Sequence, residues 1–182
     1  MKKSLLTYSA AVLFILLNGC SNPVDPDYNG KIESLKTADY NTAISYANDW
    51  HYSAPKITSH ISTTEIVFEF PDGRKITKPL PGDVMYIAFA PYLDKTHTCS
   101  EHYPSSCKGE LTGKNMHVTV TDNEGKIYSE SDMQTLKNGF FELWLPRNSK
   151  FLVKIDYNSR SGSELIETGN KNRTCITTIK LN

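Results

Sequence analysis

Glu65-Ile66-Val67-Phe68-Glu69-Phe70-Pro71-Asp72-Gly73-Arg74-Lys75-Ile76-Thr77-Lys78-Pro79-Leu80 decides the fold class. Ile66, Phe68 and Phe70 alternate with Glu65, Val67 and Glu69, the two-residue period of a strand that turns one face to a core. Pro71 presets φ, and Gly73 takes the positive φ that closes a tight turn. Lys75 to Leu80 therefore returns as the second strand of an antiparallel hairpin. Pro79, Pro81 and Gly82 break the pattern and place a boundary at residue 82.

The same punctuation continues downstream. Asp83 to Ala90 is a nearly continuous apolar run, as expected of a central strand. His117 to Thr121 alternates around Val118 and Val120, and Asp122-Asn123-Glu124-Gly125-Lys126 reads as a hairpin turn. Asn138-Gly139 marks a tight turn before Phe140 to Leu145. Phe151, Val153, Ile155 and Tyr157 alternate with Leu152, Lys154 and Asp156. A last strand is expected from Cys175 to Leu181, with Cys175, Thr177, Ile179 and Leu181 on one face. Upstream of the hairpin one helix is expected. Asp39 caps it, Ala43, Ile44, Ala47 and Trp50 recur at helical spacing, and it ends near His51. The pattern predicts a mainly β (α+β) chain. A small N-terminal helix-plus-hairpin region, residues 31–82, precedes an antiparallel β-sandwich or barrel-like domain, residues 83–182.

The first 30 residues belong to targeting rather than to the fold. Lys2 and Lys3 precede an apolar stretch from Leu5 to Leu17 that is too short to span a bilayer. It ends in Leu17-Asn18-Gly19-Cys20, which resembles a bacterial lipoprotein signal. Residues 1–19 read as a signal peptide, Cys20 as the lipidated residue, and residues 20–30, with Pro23, Pro26 and Gly30, as a tether. Ser21 is not the Asp that retains enteric lipoproteins at the inner membrane, so a lipid anchor in the outer membrane, facing the periplasm, is expected. The chain carries 20 basic and 20 acidic residues. Removing residues 1–19 takes away Lys2 and Lys3 and no acid, which leaves a slightly acidic protein. No clustered basic face is present, and nucleic acid is excluded as a partner.

Chemistry concentrates in Thr96-His97-Thr98-Cys99-Ser100-Glu101-His102-Tyr103-Pro104-Ser105-Ser106-Cys107. Of four cysteines, Cys20 is assigned to lipid, leaving Cys99, Cys107 and Cys175. An odd number of thiols in an oxidising compartment points to chemistry, although a Cys99–Cys107 staple beside a buried Cys175 is the structural alternative. Thiolates and imidazoles together suit soft or borderline ions. Two or three thiolates suit Cu(I), a His2Cys set suits Cu(II), and Cys3His suits zinc. No C-x-x-C pair is present for thioredoxin-like exchange. His97 and His102 flank Cys99 and are candidate ligands, whereas His51, His60 and His117 lie apart.

Ala90-Pro91-Tyr92-Leu93-Asp94-Lys95-Thr96-His97-Thr98-Cys99, then His102, Cys107 and Gly109-Glu110-Leu111, resemble the CueP family of periplasmic copper-binding proteins. So do Asn138-Gly139-Phe140, Leu143-Trp144-Leu145-Pro146-Arg147 and Thr174-Cys175-Ile176-Thr177-Thr178. The likeness is strong from about residue 85 to the end and weak over residues 21–80. It implies a copper store or carrier that limits copper toxicity, with Cys99, Cys107 and Cys175 as the copper-linked cysteines. It further implies Cu(II) reduction by the thiols, copper supply to a periplasmic copper/zinc superoxide dismutase, and a homodimer. One disulfide supplies two electrons, so reduction without an outside reductant is stoichiometric, and a binding protein rather than an enzyme is expected.

Overall fold

The computed structural model describes residues 28–54 and 56–182. The signal, Cys20 and most of the expected tether lie outside the described residues. Among those described, no helix is long and apolar enough to cross a membrane.

Two helices open the fold: α1, Tyr28–Thr37, and α2, Tyr40–Ser53. The first begins within the stretch read as tether. It buries only Tyr28, Ile32 and Leu35, a stripe too sparse to stand out as a periodic run. The second is the expected helix. Asp39 accepts from the Thr42 N–H at 2.7 Å, which satisfies one of the free donors of the first turn. Ala43, Ile44, Ala47 and Trp50 form its buried face.

Among the described residues, ten strands follow in three sheets. The first sheet holds β1 (Thr58–Ile61), β2 (Glu65–Glu69) and β3 (Lys75–Pro79). The second holds β4 (Val84–Phe89), β7 (Phe141–Pro146) and β10 (Cys175–Ile176) in the order β10-β4-β7. The third runs β6-β5-β8-β9, from Ile127–Gln134, Asn115–Asp122, Lys150–Tyr157 and Arg160–Glu167. The β2–β3 hairpin closes as read: Gly73, at φ +87°, donates to Phe70 O at 2.9 Å, and Glu69 pairs with Lys75. At the Asp122 turn Gly125 again has positive φ.

The middle sheet has a core on each face, which explains the unbroken apolar run of β4. Tyr86, Ala88 and Ala90 face the helices and the first sheet; Met85, Ile87 and Phe89 face the four-stranded sheet. The first core joins Ile66, Phe68 and Trp50 to Tyr86 and Phe140, so it runs continuously across residue 82.

Besides α1, β9 and the final strand differ from the sequence reading. β9 has no clean alternation, because Arg160, Ser161, Gly162 and Ser163 begin it. Gly162 is required there, since a Cβ would meet Lys180 O at 2.3 Å. The final strand is short and pairs in parallel with β4, matching Cys175 to Ala88 and Ile176 to Phe89. Ala90 N donates to Ile176 O, but Tyr92 N donates to Ile179 O rather than to residue 178. That one-residue bulge flips the alternation. Cys175 consequently faces the first core while Ile179 and Leu181 face the second, and they do not share a face as expected.

Candidate metal centre

The long connection between β4 and β5 carries four of the five candidate ligands. Its base is closed by Glu110, whose carboxylate accepts from the Leu93 and Asp94 N–H groups at 2.6 and 3.0 Å. Gly109 N donates to Asn138 O at 2.7 Å. Thr96 Oγ1 donates to Thr177 O, and Thr177 Oγ1 returns a bond to His97 O. A turn at Tyr103 brings Cys107 back, with Cys107 N donating to Tyr103 O at 2.8 Å.

The first sheet clamps the middle of this loop. Ile61 N donates to His102 O at 2.8 Å, and Ser59 exchanges hydrogen bonds with Ser105. His51 Nδ1 meets Pro104 O at 2.9 Å. Thr174, fully buried, ties the pieces together. Its hydroxyl donates to Ile61 O at 2.6 Å and accepts from His102 N at 3.0 Å, and its N–H donates to Ser100 O at 3.0 Å. The next residue is Cys175, so the same junction fixes the third cysteine against the loop.

Cys99, Cys107 and Cys175 are all free thiols. The Cys99 and Cys107 sulfurs stand 3.6 Å apart. Two groups of three donors form around them. The donor atoms of His97, Cys99 and Cys107 lie within 4.8 Å of one another, and so do those of His102, Cys107 and Cys175. All five residues singled out in the sequence therefore meet, with Cys107 common to both groups.

The surroundings of the two histidines differ. His97 is exposed at an open cleft of about 480 Å³ lined also by Cys99, Glu101, Tyr103, Cys107 and Lys108. His102 is fully buried, although it sits in a loop that reads as exposed. Its ring lies 4.6 Å from that of Phe140 and 6.2 Å from that of Tyr86. Tyr86 is anchored in turn by donating to Glu142 at 2.8 Å. Sequence reading did not find Thr174, Phe140 or Tyr86 as parts of the site. Only their place in space reveals them.

The three sulfurs share protons unequally. Hydrogen bonds from Cys175 and then Cys99 pull Cys107 well below the usual thiol range. Cys99, hydrogen-bonded to Cys107, is pushed up to about 12. Cys175, hydrogen-bonded to Cys107 and Cys99 and desolvated, is pushed far up. Of the three sulfurs, Cys107 is the one whose surroundings favour the thiolate, while Cys99 also donates to Glu101 O at 3.0 Å. The thiolate is the nucleophilic, metal-binding form of cysteine.

A β-rich protein with three free cysteines and two imidazoles gathered at a cleft has the donor set of a soft-metal-binding protein. The family profile of the periplasmic copper-binding protein CueP matches residues 45–180. The chain belongs to the CueP family of periplasmic copper-binding proteins. A solved crystal structure of S.CueP is similar at 32% identity and a TM-score of 0.76, covering 84% of this chain and 94% of that one. Comparison with curated proteins gives no significant match.

Proposed function

We propose that the chain holds copper as Cu(I) on Cys99, Cys107 and Cys175, with His97 and His102 as nitrogen donors, and so sequesters or carries copper in the periplasm. One observation carries this reading. Three free thiols from two distant parts of the chain converge, and imidazoles complete each group of three. Soft thiolates favour Cu(I) over harder ions. Structural zinc is normally closed by four ligands, whereas these donors fall into threes.

A Cu(I) competition titration on reduced and oxidised protein tests the reading. The surroundings of Cys99 and Cys175 favour the thiol over the thiolate, and copper displaces a proton from each thiol it engages. Affinity should fall about tenfold or more for each unit that pH drops. A flat pH profile would show that the protonated thiols take no part. A disulfide between any two of the cysteines removes two donors, so the oxidised form should bind Cu(I) poorly until a reductant restores it.

The 3.6 Å Cys99–Cys107 separation favours a second reading, reduction of Cu(II). Each sulfur gives one electron to one Cu(II), the two sulfurs join, and the Cys99 proton goes to solvent. The products are two Cu(I) ions and one disulfide. Loss of two thiols per two Cu(I) formed would be the signature.

The Leu17-to-Cys20 signal supports a lipid anchor at Cys20, in the outer membrane. Cys20→Ser should block both lipid labelling and signal removal. Unchanged processing would refute the anchor. Supply of copper to a periplasmic copper/zinc superoxide dismutase, which the family resemblance implies, is measured by metal transfer to the metal-free dismutase.

A further inference from the structure

We infer that the cluster contains two coordination positions that share the Cys107 sulfur, and that copper is taken up at the outer one and passed to the inner one. The outer position is His97, Cys99 and Cys107; the inner is His102, Cys107 and Cys175. The inference rests on the thiolate reading above and adds an order of events to it.

Geometry distinguishes two groups of three that adjoin at Cys107. A thiolate sulfur sits about 2.3 Å from a d10 ion such as Zn²⁺, so three donors around one such ion stand about 4 Å apart. Each group, with its donors within 4.8 Å, needs only a small closure to reach that spacing. One ion in trigonal contact with the first group is not thereby in contact with the second.

Burial gives the direction. His97 is exposed and Cys99 half-exposed, and both line the open cleft with Cys107. His102 and Cys175 are fully buried, while Cys107 retains 8% exposure and also lines the cleft. Of the three inner donors, only Cys107 touches the solvent-filled space.

His102 supplies an independent sign that the inner position awaits a ligand. Neither ring nitrogen has a hydrogen-bond partner at ordinary distance among the described residues, although the side chain is wholly enclosed; its ring acts only on the Cys107 sulfur, itself a proposed ligand. Buried polar groups are nearly always paired, and an orphaned one calls for an explanation such as an ion. One of its nitrogens lies within 4.8 Å of both the Cys107 and Cys175 sulfurs.

Transfer between the positions is a ligand exchange. The Cu(I)–Cys107 bond persists throughout. Bonds to Cys175 sulfur and the His102 nitrogen form as those to Cys99 sulfur and the His97 nitrogen break. Copper keeps its oxidation state, and the proton leaving Cys175 is taken up by the vacated Cys99 thiolate. The ion is never released to water, where Cu(I) would be free to react.

Stopped-flow uptake of Cu(I), and its release to a Cu(I) chelator, test this on the whole reduced protein. X-ray absorption at one copper per chain adds the ligand count. His97→Ala should slow uptake about tenfold or more and leave slow release and the inner two-sulfur, one-nitrogen shell in place. His102→Ala should leave rapid uptake, hasten release about tenfold or more, and change the shell. If both variants alter uptake and release alike, or if neither does, the two-position order is wrong while thiolate binding stands. If the unaltered protein binds no Cu(I), both readings fail together. Should His102→Ala fail to fold, the solvent-exposed His97→Ala decides alone: faster release in that variant overturns the order.

Discussion

Replacing Cys107 with serine is expected to lower Cu(I) affinity by more than about 100-fold, since even a partner that only supports a metal ligand is worth about 10–100-fold. The sulfur belongs to both donor groups, and its surroundings favour the thiolate most among the three. A hydroxyl is a poor ligand for a soft ion. It also removes the sulfur that stands 3.6 Å from Cys99, leaving Cys99 with its bond to Glu101 O. Cys99→Ser and Cys175→Ser each break one group of three and should cost less than Cys107→Ser. Competition against a chelator of known affinity, with circular dichroism as a control on folding, gives the ranking. Equal losses in all three variants would mean that Cys107 has no special place.

Gly139→Ala is expected to destabilise the fold by about 2–5 kcal/mol, combining the strain of left-handed backbone with overpacking. Gly139 has φ +83°, and an added Cβ would meet Gly109 O at 2.5 Å and Gly109 C at 2.7 Å. Both are backbone atoms on the strand of chain that follows Cys107, so no side chain can swing aside. The same contact is tied by the bond from Gly109 N to Asn138 O. Gly139 also precedes Phe140, the wall against His102. Thermal unfolding should move down by about 5–20 °C at this chain length, and copper affinity should fall with it. Gly73→Ala is the matched control. It has φ +87° and nothing within 4 Å of the added Cβ, so it should show the backbone strain alone. A Gly139 variant no worse than the Gly73 variant would show that the two chain segments can part without cost.

Strand periodicity and turns were legible because they are local. Ile66, Phe68 and Phe70 announce an inward face, and Gly73 and Gly125 announce the positive φ that their turns adopt. The apolar run of β4 already suggested a central strand, which it is, between β10 and β7. β9 was hidden because Ser161, Gly162 and Ser163 give little contrast between its faces. The helix α1 was hidden by its sparse stripe of three buried residues.

The candidate ligands were legible by type. Soft donors crowd between His97 and Cys107, and the N-terminal stretch, read as an export signal, directs attention to an oxidising compartment where thiols are unusual. The likeness to the CueP family rests on these same residues. Within the site, however, the two histidines looked equivalent. His102 is buried because Phe140 comes from the turn before β7 and Tyr86 from β4, and Ile61 and Thr174 hold its backbone beneath them.

The sequence by itself pointed to an export signal, a mainly β chain and a cysteine–histidine cluster suited to soft or borderline metal ions. These properties follow from composition, short periods and motif spacing, which need no knowledge of distant neighbours. Tertiary structure alone decided that Cys175 joins the loop, that Cys107 stands between two groups of donors, and that one histidine is exposed while the other is enclosed. Those outcomes depend on which strand edges meet. β10 lies parallel to β4, a one-residue bulge turns Ile179 away, and Thr174 bonds to chain segments far from it in sequence. Pairing between remote segments is selected by the packing of whole faces, and no local pattern of residues encodes it.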